Sequence, residues 1–348
     1  MLPNARKIWY CLRSRVRIVP NLTEISLLGE RRNFCMNRHA FACLSLVLVA
    51  SAVPTGCIKK IQSNVPTFGQ AVTLTATNVQ GAFETVQTTY YNAQVLNYAA
   101  NFKGGPLLDP SKLDQNWLPP EALAARVMIL QGLQEYASDL SGLTASNSSV
   151  DPATTALGQS LQSLTATPPF QKIAADSQVP ENLAVTAVNA LANWLIDNEL
   201  RKNLPGTIKK MDPTIQSICQ LLVADIGSVD TDPNHPTRGS GLRQVLWVRY
   251  KDEIDTWSQY VLQNYMGSNV SPDAKLAAVK QLASMASQQK AADQTLAQVA
   301  VTISQMAQAH SQLTKAANAN QPLIADVRNL LTEAERINTY YQSLQSSK

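Results

Sequence analysis

The strongest constraint on how this chain can fold lies near its C-terminus. Leu296, Val299, Ile303, Met306, His310 and Leu313 recur at alternating intervals of three and four. Beyond Asn318 and Asn320, the residues Leu323, Val327, Leu330, Ala334, Ile337, Tyr341 and Leu344 do the same without a miss. This spacing gathers apolar side chains on one stripe of a helix, whereas a strand would scatter them over both faces. Two such stripes joined by a short turn cover each other. The expectation is an antiparallel, coiled-coil-like hairpin of helices at about 272–316 and 322–345.

The rest of the second half and most of the first repeat the pattern. Phe68, Val72, Val79, Phe83, Val86, Tyr90, Ala93 and Leu96 mark a helix over about 66–102. Pro119-Pro120-Glu121 opens another, over about 120–145, with Leu123, Val127, Leu130, Leu133, Ala137, Leu140 and Leu143 as its stripe. Asp151-Pro152 reads as a cap and first position for a short helix that Pro168-Pro169 ends. Further helices are expected over about 181–203, from Asp212-Pro213 onward, and over about 242–266, with Pro205-Gly206 as a break. Two long loops, 103–118 and 228–241, separate them. The fold class is therefore all-α: an elongated helical bundle of long helices over 66–348, closed by the C-terminal hairpin.

The N-terminal region has a different character. Arg38 supplies positive charge just inside Met36, and Ala40 to Ala52 form an uncharged, mostly apolar run of 13 residues. That is the length of a signal-peptide core, and a bilayer-spanning helix needs about 20. Small residues then lead to a cysteine in Pro54-Thr55-Gly56-Cys57. This segment resembles the lipobox of bacterial lipoproteins, with Pro54 departing from the usual Leu. The resemblance covers the signal region alone. It implies that residues 36–56 are a cleaved signal peptide and that Cys57 carries a diacylglyceryl group on sulfur and, with a palmitate-like chain, an acyl group on its new amino terminus. It also implies a lipid-anchored protein of the cell envelope. Ile58, in place of Asp, leans toward the periplasmic face of the outer membrane over the inner one. Residues 57–65 are expected to be an extended tether reaching at most ~30 Å. Residues 1–35 sit awkwardly before a signal and are expected to be a mis-translated upstream extension, with Met36 as the true start, or a disordered segment.

Division at Cys57 changes what composition means. The whole chain is +4, but residues 1–56 hold eight of the 29 basic and two of the 25 acidic residues, leaving 21 and 23, net −2. The main compositional argument for nucleic-acid binding disappears with the leader. Of five cysteines, only Cys57 and Cys219 follow the cleavage point, so no disulfide framework is expected and the fold must rest on its apolar core.

No motif names a reaction. Asp230, Asp232 and Asn234 imitate the opening of a calcium loop, but His235 stands where Gly should turn the chain and Gly241 where a bidentate Glu should be. Ser287 and Lys290 form an S-x-x-K pair inside a helical stripe, without the K-T-G or S-D-N partners of a serine nucleophile. His310 occupies a seam position, which fits a residue that sets register better than a metal ligand. The expectation is no catalytic site, no metal and no cofactor. The function expected is that of a structural or adaptor module, held at a membrane by lipid on Cys57 and gripping a protein partner through helix faces. The alternative is a periplasmic ligand-binding bundle, its pocket lined by Trp247, Tyr250, Trp257 and Tyr260.

Overall fold

Nine helices, and no strand, make up the described residues: α1 Gly56–Asn101, α2 Pro120–Thr144, α3 Pro152–Leu164, α4 Pro168–Asp176, α5 Glu181–Ile196, α6 Leu204–Ile226, α7 Gly241–Tyr265, α8 Pro272–Ala319 and α9 Ile324–Ser346. They come from a computed structural model that describes residues 56–101, 113, 117–144, 151–197, 203–230, 239–267, 269–319 and 324–346. The upstream extension and the signal peptide short of Gly56 lie outside the described residues, as do Asp232, Asn234 and His235. The described helices belong to one unit, Ala52–Lys348, and the all-α bundle is the architecture observed.

At 1.5 Å per residue, α1 and α8 are each about 70 Å long. The stripes read from the sequence face inward: Phe68, Val72, Val79, Phe83, Val86 and Tyr90 on α1, and Leu296, Val299, Ile303, Met306, His310 and Leu313 on α8, are all buried. The C-terminal hairpin forms with α9 reversed along α8. Thr302 donates to the Glu333 carbonyl (3.1 Å) and Gln298 to the Glu333 carboxylate (2.7 Å). α1 fills the other side of that hairpin, where the Asn78 amide donates to the Ala334 carbonyl (2.8 Å). α2 runs back along the first half of α1, with α3, α4 and α5 packed outside it.

α6 and α7 lie end to end along α8. Gln216 on α6 donates to the Ala307 carbonyl (2.7 Å). Further down α8, Gln289 donates to the Trp247 carbonyl of α7 (2.9 Å), and Trp257 to the Ala278 carbonyl (3.4 Å). Between α6 and α7, Ser228 and Ser240 form a clasp, exchanging backbone hydrogen bonds of 3.0 and 2.8 Å. Gly227 and Gly241 flank the clasp at φ of 71° and 68°. A Cβ on Gly241 would stand 2.3 Å from the Asp225 carbonyl oxygen, so glycine is required there on both counts.

Four sequence expectations differ from the observed helices. The tether is helical: α1 starts at Gly56 and continues through Pro66, the proline leaving only the Gln62 carbonyl without its intrahelical donor. Pro168-Pro169 begins α4 as well as ending what precedes it, because proline fits the first turn of a helix. α5 stops at Ile196, short of 203. α6 begins at Leu204, capped by the Asn203 side chain accepting from Gly206 N (3.2 Å), and runs through Pro213. By contrast Asp151 caps α3 as expected, accepting from Ala153 N at 3.0 Å.

α3 and α5 touch most closely at Gly158, where a Cβ would meet the Ala192 carbonyl oxygen at 2.9 Å and Ile196 Cγ1 at 2.7 Å. Gly158→Val is expected to lower stability by about 1–3 kcal/mol through overpacking, despite the better helix propensity of a non-glycine residue. Urea unfolding followed by circular dichroism checks this.

Candidate functional site

The densest polar cluster in the core joins α2, α6 and α8. Tyr136 Oη lies 2.7 Å from His310 Nε2, and His310 Nδ1 lies 2.8 Å from Asp212 Oδ1. Apolar rings enclose the first two. Phe68 meets the His310 ring edge-on at 5.8 Å, and Trp194 meets Tyr136 at 4.8 Å. His310 is 0% exposed and Tyr136 1%, while the Asp212 side chain keeps 21% of its surface in solvent. The cluster is thus a relay from a sealed phenol to a carboxylate at the surface.

Its protonation follows from its surroundings. Burial, then the Asp212 charge, pushes the Tyr136 hydroxyl well above its ordinary value, so it stays a phenol. Its hydrogen-bond partner among the described residues is His310 Nε2. At the other ring nitrogen, His310 Nδ1 donates to Asp212, whose carboxylate can only accept. Burial alone would raise the Asp212 carboxyl, but hydrogen bonds from His310, Gln216 and Thr314 and the attraction of His310 hold it below its ordinary value. The arrangement ties three helices together. With His310 walled off, no substrate atom can reach the imidazole.

A second buried constellation links α2 to the end of α6. Arg126 Nε and Nη2 donate to the two oxygens of Asp225 at 2.7 and 2.6 Å, and Nη1 donates to the Ala122 carbonyl at 2.7 Å. The two side chains are 3% and 1% exposed. Burial pushes the Asp225 carboxyl up, against the pull of the Arg126 guanidinium. Arg243 and Asp293 make a shallower fork between α7 and α8, at 2.7 and 3.0 Å.

The aromatic residues of α7 do not share one pocket. Tyr250 is 0% exposed, tilted against Tyr90, with its hydroxyl donating toward the Thr89 carbonyl (3.3 Å) or the Gln288 side chain (3.2 Å). Trp257 is half-buried with its ring tilted against Tyr260 at 5.3 Å; Trp247 is half-buried, its carbonyl bound to Gln289. An open cleft of about 330 Å³ lies elsewhere, between α1 and α2, lined by Ala76, Gln80, Glu84, Leu130 and Gln134. Cys57 stands in the first turn of α1. Cys219 is buried, and that burial pushes its thiol up to about 12, which leaves it unreactive. Ser287 and Lys290 are exposed on α8. Among the described residues no group of three or more His, Cys, Asp or Glu is placed to hold a metal ion, and no helix is long and apolar enough to cross a membrane.

Sequence reasoning singled out His310 but neither of its partners, nor the Arg126–Asp225 pair. Asp212 carried a signal that pointed elsewhere, since Asp before Pro reads as a helix cap. No protein-family model, no curated protein and no solved structure matches this chain.

Proposed function

We propose that the chain is a lipid-anchored envelope protein that works as a structural or adaptor module, tethered through Cys57 and holding a protein partner on its helix faces, with the periplasmic side of the outer membrane as its location. The observation that supports this reading is the start of α1. Helix begins at Gly56, and Val65, eight residues past Cys57, is already 0% exposed. Eight helical residues rise only about 12 Å, so a lipid on Cys57 would hold the bundle against its membrane with little slack. One acyl chain binds a bilayer marginally and reversibly, whereas two or more hold firmly.

Cells fed radiolabelled palmitate are expected to label the protein, and Cys57→Ala is expected to abolish the label and move the protein out of the membrane fraction. An unlabelled wild-type protein, or a Cys57→Ala form with unchanged distribution, overturns the anchor. Crosslinking in intact envelopes is then expected to yield one stoichiometric protein partner, and its absence overturns the adaptor role.

A further inference from the structure

The turn end of the α7–α8 hairpin is built differently from the rest of the bundle among the described residues. Near its end α1 reaches α7 where Asn97 donates to the Glu253 carbonyl (2.7 Å), and it ends at Asn101. With Thr302 set opposite Glu333, the last residue of α9, Ser346, comes level with about residue 289 of α8. Past those points, among the described residues, α7 and α8 support each other, through contacts such as Trp257 with Ala278.

This end exposes apolar side chains where solvation would favour polar ones. Leu262 is 63% exposed, Leu276 52%, Val279 46% and Met266 40%. They share a side. On α7, Tyr250 and Glu253 contact α1 while Arg243 contacts α8. At about 100° per residue, Leu262 and Met266 then fall on the flank of α7 turned away from α1. The same construction on α8, oriented by Gln289 toward α7 and Thr302 toward α9, puts Leu276 and Val279 on that flank too. The Tyr260 ring lies tilted against Trp257 at 5.3 Å and edge-on to Tyr265 at 5.8 Å near the same end. Residues 256–272 are 17 consecutive positions without a charge.

We propose that this hairpin end is a membrane-contacting tip, which seats Leu262, Met266, Leu276 and Val279 in the interfacial layer of a lipid bilayer. The size of the patch argues against a second copy of the chain. Four exposed apolar side chains are few against the roughly 20–30 residues a side of a standard protein interface. A bilayer requires no matching surface, and each apolar side chain transferred contributes by its own area. Trp and Tyr, with an apolar body and a polar edge, suit the headgroup level. Asp273 and Lys275, in the first turn of α8, hold the contact to a depth of about 5–10 Å, the lysine by extending its ammonium back to water. The tip lies at the opposite end of α1 from Cys57. Its contact with lipid does not depend on whether Cys57 is acylated.

The test places a tryptophan at the tip in the full chain, as Met266→Trp, and reads the emission it adds over wild type. With vesicles of phosphatidylethanolamine and phosphatidylglycerol carrying a nitroxide at the top of the acyl chain, that added emission is expected to shift to the blue and be quenched, in low and high salt alike. Adding Leu262→Glu and Leu276→Glu is expected to raise the lipid concentration needed for half-quenching by at least about tenfold, with the helical circular dichroism unchanged. Unquenched added emission overturns the proposal, as does quenching that survives the two glutamates or vanishes in high salt. The first result would leave the exposed face to a protein partner.

Discussion

Arg126→Met is expected to destabilise the bundle by about 3–5 kcal/mol, because it strips the counter-charge from a carboxylate that water cannot reach. Three guanidinium nitrogens of Arg126 are engaged, two on Asp225 and one on the Ala122 carbonyl. The Asp225 side chain is 1% exposed. Its burial already works against ionisation, with nearby Asp176 adding to that effect, and Arg126 is the main opposing influence. Without the guanidinium the carboxylate must either stay charged in an apolar setting or take up a proton, and both cost free energy. The double variant Arg126→Met/Asp225→Leu is expected to recover most of the loss, since replacing a whole buried pair by apolar groups of similar volume is often neutral. Urea unfolding of wild type, both single variants and the double variant measures the coupling. If the double variant is as unstable as Arg126→Met alone, the loss comes from the packing of the arginine stem, and the orphaned charge is not its cause.

That pair also shows where a sequence stops speaking. Helical stripes were legible because burial leaves a period: the seam residues of α8 and the inner face of α1 are buried as their spacing requires. Arg126 sits between Ala125 and Val127 on α2, and nothing in a helical pattern separates a buried arginine from a solvated one. Its partner is 99 residues away, a distance no local rule spans. Prolines misled for a related reason. Pro66 and Pro213 lie inside α1 and α6, where packing along α8 and α9 outweighs the loss of one backbone hydrogen bond each. Asp212-Pro213 looked like a helix start, yet the Asp212 carboxylate is turned to His310 on another helix. His310 was visible as a polar residue in an apolar seam. The phenol and carboxylate that explain it come from α2 and α6, and only the three-dimensional packing of α6 along α8 brings them together.

His310→Ala is expected to cost about 3–5 kcal/mol, combining a cavity in the core with two abandoned polar partners. The ring packs against Phe68 and Tyr136 at 5.8 and 5.6 Å. Its removal leaves the Tyr136 hydroxyl, in a fully buried side chain, without the partner it has at 2.7 Å. Tyr136→Phe removes that hydroxyl while keeping the ring, so its cost should be smaller, about 1–2 kcal/mol. In the Tyr136→Phe background, His310→Ala should lose less than in wild type. Additive losses would show that the relay contributes packing alone. Acid provides an independent reading of the third member. The folded protein holds the Asp212 carboxyl below its ordinary value, so the ionised form stabilises folding. That contribution is complete above the unfolded carboxyl value of about 4 and is lost as pH falls through the lower folded value. Asp212→Asn is therefore expected to be less stable than wild type at about pH 7, with the gap closing toward about pH 3 as the wild-type carboxylate is protonated. A gap that stays constant across that range would mean that Asp212 acts as a neutral acceptor whose charge does no stabilising work, and the Nδ1–H assignment for His310 would lose its electrostatic support.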